Sequence, residues 1–406
     1  MTTTFTQYHN HSIWSIDSNN TDPASALEYL NNPENFRSFS SGLTELICKY
    51  GYEGSLDDPD AKSRFLLSKL SLMGISITKP TISSWFRDKH RPSFSSESRK
   101  HMYRVCFALS ASLEDIKWFF SHVYFDKAFN CHTLEEAVYY YCFSHQLPYC
   151  HAQNLISIIQ AFPEPKAASD TKTVFTKYIV QQIDHCTTDE ELLSFFKENK
   201  HIFNQWNITA RHHIAEFDTL IRGKKSDKTV IDAFRSGKSF LTEDVSHCGL
   251  VIQEYLLSAA DGRLDYISGK SIDSVDFMLE RIITFSSGLH KQTQIPLIVR
   301  QNFPSKKTFS DILNNAEHST SYDSIRKCLV LLKFYHFWVT LLLHSDLISD
   351  NFYFDIFCDE TNALLTECGY EELFAGNPYD WLFLWASTSE KPLDALRRAI
   401  SSIEDT

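Results

Sequence analysis

Hydrophobic residues recur at three- and four-residue spacing in the stretch that precedes Gly74. The apolar positions are Phe65, Leu66, Leu70 and Met73. This spacing places them on one face of an α-helix. Glycine commonly follows the end of a helix because it adopts a left-handed backbone without steric cost. The pattern therefore predicts a helix that closes at Gly74.

A second, shorter helix is predicted after a four-residue turn at positions 75 to 78. Thr78 or Lys79 can cap it, and Pro80 suits a first helical turn, where its missing amide proton costs nothing. Its apolar face is formed by Ile82, Trp85 and Phe86. The polar residues between them are expected to face outward, and the helix is expected to end by Pro92.

Two packing helices are predicted next. The inward positions of the first are Met102, Val105, Cys106 and Leu109. The run Ser112 to Asp115 opens the second in the manner of a capping box. A helix, a short turn, a short helix with a polar outer face and then packing helices is the order of a helix-turn-helix module.

Basic residues concentrate in the same part of the chain. Residues 61 to 127 hold twelve Lys or Arg against five Asp or Glu, a net charge of +7, whereas the whole chain carries −12. A local basic surface is what phosphate binding requires, while an acidic remainder keeps the rest of a protein away from DNA. A solvated helical face with chance clustering is the alternative interpretation of the same charges.

The run from Ile77 to Ser93 resembles the recognition helix and following loop of lambda-repressor-like, or XRE-type, helix-turn-helix domains. The resemblance rests on the Thr-Ile-Ser-x-Trp core at positions 81 to 85 and on a basic loop that ends in Pro-Ser. It extends over roughly residues 61 to 120. It implies a DNA-binding domain whose partner is double-stranded DNA, bound as a homodimer in many regulators of this type.

The resemblance also implies which side chains contact DNA. Those at the start of the recognition helix would meet base edges in the major groove: Lys79, Thr81, Ser83 and Ser84. Cationic residues in and after the following loop would meet phosphates: Arg87, Lys89, Arg91, Arg99 and Lys100.

The rest of the chain is predicted to be helical as well. Glycine and proline number only 12 each, too few for the turns of an all-β protein, so the expected fold class is all-α. We expect a poorly ordered segment over 1–20, the DNA-binding domain over 21–125, a helical hairpin over 126–165 and a helical sensor or interaction domain over 166–406. Further helical patterns lie near 174–186, 188–199, 207–221, 227–235, 244–258, 272–286, 308–316, 321–346 and 360–367.

The carboxy-terminal region is expected to recognise a small-molecule, peptide or protein effector. Its most aromatic segment, positions 377 to 385, is expected to dock onto the core as a terminal helix. We expect no membrane segment, because the most apolar stretch, 328 to 343, contains Lys333 and His336. The absence of a signal-peptide pattern favours a cytoplasmic protein.

No motif indicates catalysis. The two Gly-Lys-Ser triplets, at 237–239 and 269–271, lack the earlier glycine of a phosphate-binding loop. No Cys-x-x-Cys pair occurs among the ten cysteines, so a structural zinc site is not expected. We therefore expect no enzyme activity, no cofactor and no metal.

Two functions remain in competition at the level of sequence. The first is a DNA-binding transcriptional regulator with a helical effector region. The second is a helical adaptor of a mobile-element or defence system, in which the helix-turn-helix contacts another protein.

Overall fold

The computed structural model describes residues 16, 23–32, 35–87, 92, 95–163, 176–203, 208–222, 311–312, 321–342 and 352–389, with single positions between 392 and 399. Within this part of the chain the regular structure is entirely helical, which confirms the all-α expectation. Three predicted helical patterns, 227–235, 244–258 and 272–286, lie outside the described residues. So do the linker at 164–170 and most of the first twenty residues.

The described α-helices follow one another in short steps. They are α1 (Pro23–Asn31), α2 (Phe39–Lys49), α3 (Pro59–Leu72), α4 (Lys79–Phe86), α5 (Ser96–Leu109), α6 (Leu113–Phe119), α7 (Leu134–Ser144), α8 (Tyr149–Gln160), α9 (Thr176–His185), α10 (Asp189–Asn199), α11 (Ile208–Arg222), α12 (Tyr322–Leu342), α13 (Phe352–Glu367) and α14 (Pro378–Ser387). A π-helical turn, Phe120–Tyr124, continues α6.

Local capping chemistry explains why several helices begin and end where they do. The side chains of Asp58, Thr78 and Ser112 accept hydrogen bonds from backbone amides in the first turns of α3, α4 and α6. At the end of α3, Gly74 has a φ of +67°. The amide of Ile75 then donates to the carbonyl of Leu70 at 2.9 Å, as in a Schellman motif. The predicted glycine terminator of this helix is confirmed.

Two hydrophobic cores form among the described residues. The amino-terminal core contains buried residues from Phe39 to Phe203 and is built by α2 to α10. The carboxy-terminal core is built by α1 and by α11 to α14. The division differs from the predicted boundaries at 21 and 166, because α1 packs against α14 while α9 packs against α7.

The aromatic segment near the carboxy terminus lies in the middle of its core. Trp381 and Trp385 of α14 are fully buried, and the ring of Tyr29 from α1 stacks on Trp381 at 4.6 Å between centroids. The predicted docking of this segment as a helix is confirmed. Among the helices that the structure describes, none combines the length and apolar character needed to cross a lipid bilayer.

A buried arginine connects the two cores. Arg99 of α5 is 3% exposed, and its guanidinium binds both carboxylate oxygens of Glu136 at 3.0 and 2.8 Å and one oxygen of Asp126 at 2.8 Å. It also lies over the ring of Tyr322 in α12, 4.6 Å from the centroid. Asn130 donates to the hydroxyl of Tyr322 at 2.7 Å. One end of α12 is therefore held against the amino-terminal core by Arg99 and its neighbours.

The charges in this network balance each other. Burial alone would lower the pKa of Arg99, but Glu136, Tyr103 and Asp126 together raise it well above its usual value. Burial raises the pKa of Asp126 to about 6, although Arg99 acts in the opposite direction. The guanidinium is thus a fixed cation that keeps two buried acidic side chains paired.

We expect Arg99→Ala to destabilise the protein strongly. Removing the cation leaves Asp126 and Glu136 buried without a partner, at a cost of about 3 to 5 kcal/mol. Urea denaturation followed by tryptophan fluorescence would show a clearly lower midpoint for this variant. Lys100→Ala is the matched control, since the exposed Lys100–Glu135 pair contributes about 1 kcal/mol or less. Equal midpoints for the two variants would contradict this account of Arg99.

Candidate nucleic-acid interface

Three buried side chains anchor helix α4. Ile82 is fully buried, and Trp85 and Phe86 are nearly so, as their spacing predicts. The ring of Trp85 meets Phe39 of α2 edge to face, with 6.0 Å between centroids. The hydroxyl of Ser40 donates to the carbonyl of Phe86 at 3.0 Å. These contacts fix the rotation of α4 about its axis and therefore decide which residues point away from the core.

The first turn of α4 lies at the surface. Lys79 and Pro80 are exposed, and Thr78 is the N-cap whose hydroxyl oxygen accepts from the amide of Thr81. No ion pair of Lys79 is found among the residues that the structure describes. This end of the helix therefore presents one cation beside a rigid proline.

The hydroxyl residues of α4 are half-buried rather than fully exposed. The Thr81 hydroxyl lies 2.7 Å from that of Thr78, and the Ser84 hydroxyl donates to the carbonyl of Thr81 at 2.7 Å. Ser83 is also half-buried. The predicted base-contacting residues Lys79, Thr81 and Ser83 thus lie on or beside the outer side of α4, and two of the hydroxyls already make local hydrogen bonds.

The predicted phosphate-contacting residue Arg87 is exposed but paired. Its guanidinium lies 2.7 Å from a carboxylate oxygen of Asp60, at the start of α3, and both side chains are more than two-fifths exposed. Asp58 lies in the same region and is 3.7 Å from Arg64. The amino-terminal end of α3 therefore brings negative charge next to the end of α4.

Four further predicted phosphate contacts have different outcomes. Lys89 and Arg91 lie outside the described residues. Lys100 is partly exposed and pairs with Glu135 at 2.9 Å. Arg99 is buried in the network between the two cores, so the prediction that it contacts phosphate is wrong. The sequence reveals that Arg99 is cationic but not that two acidic side chains enclose it.

The basic surface is smaller than the count of charges predicts. Besides Arg99, the side chains of Lys62 and Lys127 are buried. Arg104 pairs with Glu97 at 3.3 Å. Within the described part of the segment, much of the positive charge is therefore neutralised inside the fold or on its surface.

Two apolar side chains beside the turn are exposed. Leu72, the last residue of α3, is 82% exposed, and Met73 is 37% exposed. The predicted inward position of Met73 is therefore wrong, because the helix ends there and the chain turns away at Gly74. Leu72 falls outside the three- and four-residue spacing of the apolar face, and that departure is the sequence signal for its exposure.

No known protein family, curated protein or solved structure matches the chain. The resemblance to XRE-type domains therefore depends on the residues of positions 61 to 120 alone.

Replacing Asp60 tests whether Arg87 is held away from a nucleic acid. Asp60→Asn removes a negative charge and releases the guanidinium, so affinity for duplex DNA should rise about twofold to fivefold at low salt. Fluorescence anisotropy with a labelled duplex measures the change. Glu190→Gln is the control, since it removes one exposed carboxylate from α10. Unchanged or weaker binding by Asp60→Asn would exclude Arg87 from the interface.

Proposed function

We propose that the chain is a DNA-binding regulator that inserts the outer face of α4 into the major groove of a duplex. The observation that carries this proposal is the anchoring of α4 by Ile82, Trp85 and Phe86, which leaves Lys79 and the hydroxyl residues on the outer side. A helix of this kind enters the major groove and reads base edges with residues near its amino-terminal end.

The two kinds of contact divide affinity from specificity. Lys79 is long enough to reach a guanine edge or a phosphate, whereas the Ser83 hydroxyl can donate to or accept from a base. Arg87 would exchange its surface partner Asp60 for a phosphate oxygen, and such an exchange is favourable because the existing pair is exposed and weak. Base contacts would select a sequence, and phosphate contacts would set the register.

The acidic balance of the whole chain favours one binding surface. With a net charge of −12, most of the protein repels a polyanion, so a duplex is drawn only to places where cations face outward. Lys79 and Arg87 lie at opposite ends of the same eight-residue helix. Their spacing along α4 suits contacts on both sides of a groove.

A double substitution, Lys79→Ala with Arg87→Ala, tests this arrangement. Loss of two phosphate contacts should weaken binding to every duplex and reduce the slope of log affinity against log salt by about 2. Anisotropy titrations at several salt concentrations give both values. Lys197→Ala, which removes an exposed lysine of α10, should leave the slope unchanged. A double variant that keeps the parent's affinity and slope would refute the proposal.

The exposed apolar side chains beside the turn favour a second candidate, an adaptor that uses this surface to contact a protein. Leu72 and Met73 add apolar area that DNA contacts do not require, whereas protein interfaces contain such side chains at their centres. The same pair could also serve contact between two copies of the chain in a regulator.

Leu72→Ser separates these possibilities. In the adaptor, the full chain should show no retention on duplex DNA and should lose a stably co-purifying protein partner on this substitution. In a regulator without such a contact, the substitution should alter neither duplex affinity nor the oligomeric state seen by light scattering. Leu56→Ser is the control, because Leu56 is also exposed but lies in the loop before α3. Equal effects of the two substitutions would show that Leu72 has no specific partner.

A further inference from the structure

A cavity of about 740 Å³ lies where the two cores meet. Its walls come from the segment that follows the π-helical turn, from α9 and from the loop between α13 and α14. The apolar part of the lining consists of Phe125, Phe129, Val180, Leu373 and Phe374. The volume falls within the range of roughly 300 to 1,000 Å³ that small-molecule sites occupy.

Most charged groups of the lining already have partners. Arg326 and Asp380 form a bidentate pair, with both N···O distances at 2.7 Å. Asp126 is bound by Arg99 at 2.8 Å. Glu371 and Glu372 are exposed at the surface, where solvent and salt screen them. The two buried carboxylates are thus neutralised by guanidinium groups.

Two polar groups of the lining are not fully used. The side chain of Tyr370 is 4% exposed, and its hydroxyl has no hydrogen-bond partner among the described residues. The ammonium of Lys127 is 3% exposed and donates to the carbonyl of Cys368 at 3.2 Å. It lies 5.0 Å from the centroid of the Tyr370 ring and makes no ion pair within the described ranges.

Leaving these groups as they are is unfavourable. An ammonium has three N–H donors, and a buried hydroxyl without a partner loses the hydrogen bonds that water would give it. Burial accordingly lowers the pKa of Lys127 to about 8. A single anionic oxygen acceptor near both groups would satisfy the remaining donors and pair with the cation.

We propose that this cavity binds a small amphipathic carboxylic acid, whose carboxylate is held by Lys127 and Tyr370 and whose apolar body lies against Phe129, Val180 and Leu373. One uncompensated cation beside one hydroxyl suits a monoanion, and the phenyl-rich walls suit an alkyl or aryl body. The cavity does not include α4, so ligand binding is independent of the proposed DNA binding.

Calorimetric titration of the full chain with sodium octanoate and sodium 4-phenylbutyrate tests this proposal. At least one acid should bind with a stoichiometry of one, and octanoate should bind about tenfold more tightly than 1-octanol, which lacks the charge. Absence of saturable binding by both acids, or equal binding of octanoate and octanol, would overturn the proposal.

Tyr370→Phe is the decisive variant because the hydroxyl that it removes supports no contact within the described residues. The free protein should keep its melting temperature or gain a few degrees, while its affinity for the bound acid falls about tenfold. Its affinity for 1-octanol should not change. Acid binding unaffected by this substitution would show that the carboxylate is held elsewhere or that the cavity contains only water.

Lys127→Met complements that experiment. If the variant folds, as circular dichroism would show, it should no longer prefer octanoate to 1-octanol. A folded variant that retains the preference would overturn the assignment of Lys127. If it fails to fold, Tyr370→Phe still decides the question. No DNA is present in any of these titrations, so their failure and the failure of the regulator proposal are distinguishable.

Discussion

The burial of one face of α4 is the constraint on which the proposed function depends. Ile82, Trp85 and Phe86 are almost completely removed from water, and rotating the helix about its axis would expose them at a cost of several kcal/mol. Because that rotation is fixed, Lys79 and Ser83 have defined positions on the surface. A preorganised helix loses little entropy when it binds, which is a general requirement for reading base edges.

The second organising interaction is the ion-pair network around Arg99. It removes a cation from the segment with the highest positive charge and uses it to hold Asp126 and Glu136 between the two cores. The same junction creates the cavity beside Lys127. The positive segment therefore has two roles in the structure, since some of its cations stabilise the interior and only a few remain on the surface.

Sequence patterns predict the helices well but predict side-chain partners poorly. The limits of α3 and α4 follow from Asp58, Gly74 and Thr78, which act within a few residues of themselves. Burial of Arg99 depends on Glu136, 37 positions further along the chain, and local periodicity contains no information on such pairs. The packing of α1 with α14 and the cavity at the junction likewise arise only when distant segments meet.

Selection of bound fragments from random duplex DNA, performed with the full chain, tests the central claim most directly. The account predicts enrichment of one short motif, and Ser83→Ala should relax the base preference at one position of that motif while leaving the rest intact. No enriched motif for the parent chain, or an identical motif for Ser83→Ala and for Lys79→Ala, would contradict the claim that the outer face of α4 reads DNA.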